Sequence, residues 1–201
     1  TEKEVTIALN KLENGLGKKI DRVTAKMLRT VQMLDSFSLL FRRNKSKINF
    51  NNQIELYDAL WDTVICDSSP RSDVEMREHL MYKIVETIQI AGTLNPQFTP
   101  DSSQKRAYEY LASNGLIRRE GSAVSFFHQS FYEYALARHY SETGSLFSSD
   151  LKKEIQGLEI RSTVKAVLDF KRGYDTAKFV DEASSILEDP DIRLHLKLLT
   201  L

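Results

Sequence analysis

His128 offers the most chemistry of any residue in this 201-residue chain. It follows Phe126-Phe127 and leads into Gln129-Ser130-Phe131-Tyr132-Glu133-Tyr134-Ala135-Leu136-Ala137. An imidazole in such a setting can donate to an anion or move a proton near neutral pH. It can equally cap a helix or satisfy a core hydrogen bond, and spacing alone leaves these readings open. The other possible centres fall away. His79, His128, His139 and His195 lack zinc-type spacing, and no His-Glu-x-x-His run occurs. Gly15-Leu16-Gly17-Lys18-Lys19 has the order of a phosphate loop in part only. Leu12 stands where that loop needs its first glycine, Lys19 stands where it needs Ser or Thr, and a helix precedes it instead of a strand. We read it as a turn. No apolar strand ends in paired acids that could hold magnesium, so the chain by itself is expected to hydrolyse no nucleotide and to be no enzyme. Asp58/Asp62 and Asp181/Glu182 read as solvated helix faces. Cys66 reads as a buried structural thiol, and Tyr57 with Trp61 as core.

Composition narrows the classes further. Twenty-eight Lys and Arg balance 28 Asp and Glu, the pI is near 6.9, and 41% of the residues are hydrophobic. A neutral balance argues against a dedicated nucleic-acid or membrane-surface protein, which carries a basic excess. One cysteine excludes an internal disulfide framework. No signal peptide and no spanning apolar run are present, which predicts a cytoplasmic protein without a membrane segment. The chain opens on Thr1 and reads as a piece of a larger protein.

The elements that position these residues are almost all helical, so the fold class is mainly α with one β-hairpin. Val5, Ala8, Leu9 and Leu12 have helical spacing over residues 1–12, and Asn14-Gly15-Leu16-Gly17 ends that stretch. A helix over 21–42 would carry Val23, Met27, Leu28, Val31, Leu34, Phe37, Leu40 and Phe41 on a broad apolar face. The next runs over 53–66, with Asn51 or Asn52 as its cap. Asp67-Ser68-Ser69-Pro70 is a linker. Ser72 with Glu75 forms a capping-box pattern ahead of a helix over 73–91 that Gly92 closes. Leu94 to Pro100 is a loop or a short edge strand. A helix over 103–114, capped by Asp101 or Ser102, stops at Gly115 and passes into a hairpin, 116–119 with 123–127. Residues 129–140 form an aromatic helix, packed by Phe131, Tyr132, Tyr134 and Tyr140 onto the elements before it. Short helices follow, divided at Gly157, Gly173 and Pro190. Three parts result: a small helical domain at 1–66, a winged-helix domain at 71–140, and the start of a C-terminal helical array at 141–201.

The string Phe126-x-His128-x-x-Phe131-x-Glu133-Tyr134-x-x-Ala137 resembles the winged-helix signature of STAND-class NTPases, above all the NACHT branch. Leu56-Tyr57-Asp58-Ala59-Leu60-Trp61-Asp62 is similar to the helix those proteins place before the winged helix. Glu2-x-Glu4-Val5, Met27-Leu28-Arg29-Thr30 and Leu39-Leu40 resemble their small helical domain, and the likeness extends over residues 1–140. The resemblance implies that His128 contacts the ADP phosphate and helps lock a resting state. Val31 stands where the family has an adenine-packing proline. It further implies that ADP or ATP belongs to the parent protein and that this chain alone binds no cofactor. The implied partners are a P-loop nucleotide-binding domain and C-terminal sensor repeats of the same protein, with oligomerisation on activation. Bacterial antiphage defence or signalling is the implied setting. Two other readings remain. A winged-helix DNA-binding transcription regulator would use Lys105, Arg106, Arg118 and Arg119, although Asp101, Glu109 and Glu120 sit among them. In a structural helical adaptor, His128 would only cap a helix.

Overall fold

In the structure, a computed structural model, residues 2–67, 69–153 and 155–201 are described. The fold is mainly helical, 63% helix, with one two-stranded antiparallel hairpin among the described residues. It forms two compact units, Thr1–His128 and Gln129–Leu201.

The first unit begins with α1 (Glu2–Leu12), α2 (Leu16–Lys19), α3 (Arg22–Met27) and α4 (Val31–Phe41). The single helix expected over 21–42 is therefore two. Asp21 caps α3 by accepting from the Thr24 amide at 2.7 Å. Thr30 then takes extended backbone and accepts from the Met33 amide, which starts α4 afresh. Val23 and Val31, placed on the apolar face by periodicity, are 52% and 72% exposed. Phe37 stacks on Phe41 at 5.8 Å and meets Phe50 edge-on at 6.3 Å. The polar 42–52 connection is held by a buried hydroxyl. Phe50 N–H donates to Thr24 Oγ1 at 2.7 Å, and that hydroxyl donates to the Phe50 carbonyl at 3.1 Å.

Asn52 caps α5 (Gln53–Val64), as its position in the sequence suggests. Helix α5 buries Leu56, Tyr57, Leu60, Trp61 and Val64 completely. Helix α6 (Arg71–Ala91) answers with Leu80, Met81, Ile84 and Val85, and Tyr82 stacks on Trp61 at 5.7 Å. The capping box expected at Ser72 is absent. The helix starts two residues earlier, from Pro70, whose extended backbone suits that role without a side-chain bond. Gly92 ends it in the left-handed region. Cys66 is half-buried instead of buried, and its thiol lies 3.5 Å from Glu78 Oε1.

Helix α7 (Lys105–Ser113) is followed by Gly115 at φ 75°, which turns the chain directly into β1 (Ile117–Glu120). Strand β2 (Ala123–Phe126) pairs with it from Ile117↔Phe126 to Glu120↔Ala123 around Gly121-Ser122. Residues 96–98 add a one-residue bridge, Gln97↔Ala123, on the other side of β2. Phe98 N–H donates to the Ser122 carbonyl, and Val124 N–H donates to that of Pro96. A Cβ at Gly115 would meet Leu39 at an ordinary 3.6 Å, so only the backbone opposes a side chain there. Gly115→Ala is therefore expected to lower unfolding free energy by about 1 kcal/mol, read from urea midpoints. An unchanged midpoint would mean that the turn adapts.

The second unit holds α8 (Gln129–Thr143), α9 (Phe147–Leu151), α10 (Arg161–Tyr174), α11 (Thr176–Glu188) and α12 (Leu194–Lys197). Tyr134 of α8 meets Phe170 of α10 edge-on at 5.6 Å, and Tyr140 hydroxyl donates to Asp150 at 2.8 Å. Gly173 lies inside α10 and divides nothing. The break comes at Asp175, whose carboxylate accepts from the Ala177 and Lys178 amides and opens α11. Glu182, read as part of a solvated face, is fully buried. Its carboxylate takes Lys171 Nζ at 2.6 Å together with the amides of Phe147 and Ser148. Alternation of residue types along α11 cannot reveal that partner, because it arrives from another helix.

Candidate functional site

The candidate site lies wholly in the first unit. Three backbone bonds carry His128 to it. Gly115 N–H donates to Ala112, Leu116 N–H to Leu111, and Phe127 N–H to the Leu116 carbonyl at 3.1 Å. They tie the end of α7 to the exit of the hairpin, so residue 128 emerges beside the α7–β1 turn. Its ring lies 4.8 Å from that of Phe127, and the side chain is 14% exposed.

A cleft of about 900 Å³ opens there. Its walls are Asp35, Ser38 and Leu39 from α4, Arg42 just past its end, Glu109, Ala112 and Ser113 from α7, and the strand Ile117–Glu120. Phe127 and His128 close one side. Positions 35, 38, 39 and 42 fall on one helical face, and the exposed Val31 precedes them by one turn. The charged lining is balanced: Arg42, Arg118 and Arg119 against Asp35, Glu109 and Glu120. None of the three arginines belongs to an ion pair among the described residues, although many surface lysines and arginines elsewhere are paired.

His128 Nε2 lies 3.4 Å from Asp35 Oδ2, yet it makes no aligned hydrogen bond. A ring-nitrogen lone pair facing a carboxylate would be repulsive, which favours the tautomer with hydrogen on Nε2. Burial pulls the imidazole pKa below its ordinary value. Asp35 pulls it up, and the Arg118 guanidinium lowers it again. The group is therefore mostly neutral at pH 7 and holds an N–H that an anion could use. Unpaired guanidinium groups beside such a donor suit phosphate or carboxylate ligands.

The remaining sequence candidates lie elsewhere. Gly17 N–H is already given to Asn10 Oδ1 at 3.1 Å and its Cα faces Thr6, so this turn presents no open cradle of amides. No group of three or more metal-ligating side chains occurs among the described residues. Trp61 and Tyr57 are fully buried core, as read. Arg106 is engaged by Asp73 at 2.9 Å. Asp35 and Arg42 were not singled out from the sequence. The available signal was their four- and eleven-residue spacing from Val31, along the polar side of α4 and its C-terminal cap.

No protein-family model matches the chain, and no curated protein matches its sequence. No helix among the described residues is long and apolar enough to cross a membrane.

Proposed function

We propose that this chain is the nucleotide-sensing, autoinhibitory part of a STAND/NACHT-type signalling NTPase, acting in the cytoplasm. In this reading His128 gives its N–H to a phosphate of ADP, and the exposed Val31 offers an apolar surface to the base. A P-loop domain and C-terminal sensor repeats of the same polypeptide supply the rest. Antiphage defence is the setting that the resemblance suggests, and oligomerisation is the suggested output. The observation that carries the reading is His128 itself: a buried, unaligned imidazole nitrogen at the side of a cleft lined by three arginines that no described carboxylate pairs. A state-dependent contact of this kind makes a switch only if the ligand prefers one state, which a diphosphate held by His128 would do.

Calorimetric titration with ADP of the parent polypeptide, in which the P-loop domain accompanies these residues, tests this. His128→Ala is expected to weaken ADP binding about tenfold, the worth of one hydrogen bond to a charged group. Adenosine, lacking phosphate, should bind without regard to residue 128. Equal ADP affinity for both proteins would overturn the reading. Direct DNA binding is the competing reading, and it loses one of its four cations to the Arg106–Asp73 pair. Affinity for duplex DNA that falls steeply with salt would restore it.

A further inference from the structure

Asp35 Oδ2 is the only carboxylate oxygen at ion-pair distance from His128 Nε2 among the described residues. The aspartate comes from α4 and the histidine from the exit of the hairpin, so the contact joins two elements that sequence does not. Asp35 stays 55% exposed, which leaves its carboxylate free to swing into solvent on the helix surface. The approach falls short of an aligned hydrogen bond. It is close enough to neutralise the donor's field and loose enough to be exchanged. An anion seeking the same N–H arrives beside a negative charge, and like charges a few ångströms apart at a partly exposed site repel appreciably. The other charged groups lining the cleft are Arg42 at the C-terminal cap of α4, Glu109 from α7, and Arg118, Arg119 and Glu120 from β1.

We propose that Asp35 is an internal competitor for the anion site: its carboxylate and a ligand phosphate exchange at His128, so Asp35 raises the phosphate concentration needed for occupancy. The proposal rests on the nucleotide-sensing reading and adds a threshold to it. The exchange has a direction. Among the described residues Arg42 and Arg118 have no carboxylate partner, and they offer an incoming diphosphate further donors, whereas Asp35, tethered to α4, brings a single charge. A ligand with two or more negative charges therefore displaces Asp35, and a monoanion such as acetate does so poorly.

The test is titration of the whole chain with inorganic pyrophosphate, alongside 15N imidazole spectra of His128. Asp35→Asn is expected to bind pyrophosphate at least about threefold more tightly, the scale of one partly exposed charge. The His128 titration midpoint should fall further in this variant, because the Asp35 charge that raises it is gone. Asp35→Glu keeps the charge and should bind like the parent. Asp35→Ser repeats the measurement if the amide variant folds poorly. Unchanged or weaker pyrophosphate binding in the uncharged variants overturns the proposal. If His128→Asn loses binding while Asp35→Asn leaves it unchanged, the competitor role falls and nucleotide sensing stands. If His128→Asn also binds as the parent does, both fall.

Discussion

Arg77→Met is expected to lower the unfolding free energy of the chain by about 3 kcal/mol, close to the loss seen when one partner leaves a buried pair. Arg77 is 4% exposed, and it gathers the groups around it. Its guanidinium donates to Asp67 Oδ1 at 2.8 Å, to the Ile65 carbonyl at 3.1 Å and to Ser69 Oγ at 2.8 Å. It also lies over the ring of Tyr110 at 3.8 Å, and the Tyr110 hydroxyl donates to Asp67 Oδ2 at 2.8 Å. One cation thereby ties the end of α5, the 65–69 connection, α6 and α7. Methionine fills much of the volume but takes the guanidinium from the carbonyl at the α5 end and from Asp67 Oδ1, which keeps the Ser69 amide. Tyr110→Phe removes only one hydrogen bond and should cost about 1 kcal/mol. Urea unfolding measures both, and equal losses would show that the guanidinium is not the hub.

The same network sets the acid limb of stability. Burial raises the Asp67 pKa, but bonds from Ser69, Arg77 and Tyr110 outweigh it and hold the carboxyl well below the usual carboxylate range. A carboxyl depressed in the folded state binds a proton more readily when unfolded. Its stabilisation is complete above the unfolded value of about 4 and is lost as pH falls below that toward the folded value. In Arg77→Met the depression is reduced while Ser69 and Tyr110 keep part of it, so midpoints at pH 7 and pH 3 should differ less than in the parent. A parallel acid limb in the two proteins would contradict this.

The second large effect belongs to Lys171 and Glu182, 2% and 0% exposed. Lys171→Met is expected to cost about 3–5 kcal/mol, because it strands a carboxylate in the interior. Lys171→Met with Glu182→Gln should recover part of that loss. The amide oxygen still accepts from a backbone N–H, and no net charge remains buried. Full recovery is not expected, since Glu182 serves the amides of both Phe147 and Ser148 and one of them loses a good acceptor. A double variant as unstable as the sum of both single changes would show the two groups to be independent.

What was legible in the sequence follows the range of the interaction that decides each feature. Asn52 and Gly115 act on backbone groups within a few residues, so the start of α5 and the end of α7 could be read directly. The hairpin was equally local, its turn marked by Gly121. The break at residues 28–30 was hidden because the apolar spacing continues through it, and only the cap at Thr30 reveals a new helix. Ser72 satisfied a local rule, but Pro70 started the helix first. The site shows the same division. His128 could be singled out from its neighbours, whereas Asp35 acquires meaning only when the fold carries α4 to the hairpin's exit. Glu182 was misread for that reason too.

The one-residue bridge at Gln97 has a consequence for solubility. An unpaired strand edge is a template on which another chain can zip and seed aggregates. On the β2 side the template is capped, because the Phe98 amide and the Pro96 carbonyl satisfy the neighbouring groups and proline, lacking an N–H, cannot extend the ladder. On the β1 side Arg118, Arg119 and Glu120 are all exposed, so any approaching strand must desolvate three charges. The hairpin that carries His128 is thus guarded at both margins, by a proline-led segment on one and by charge on the other.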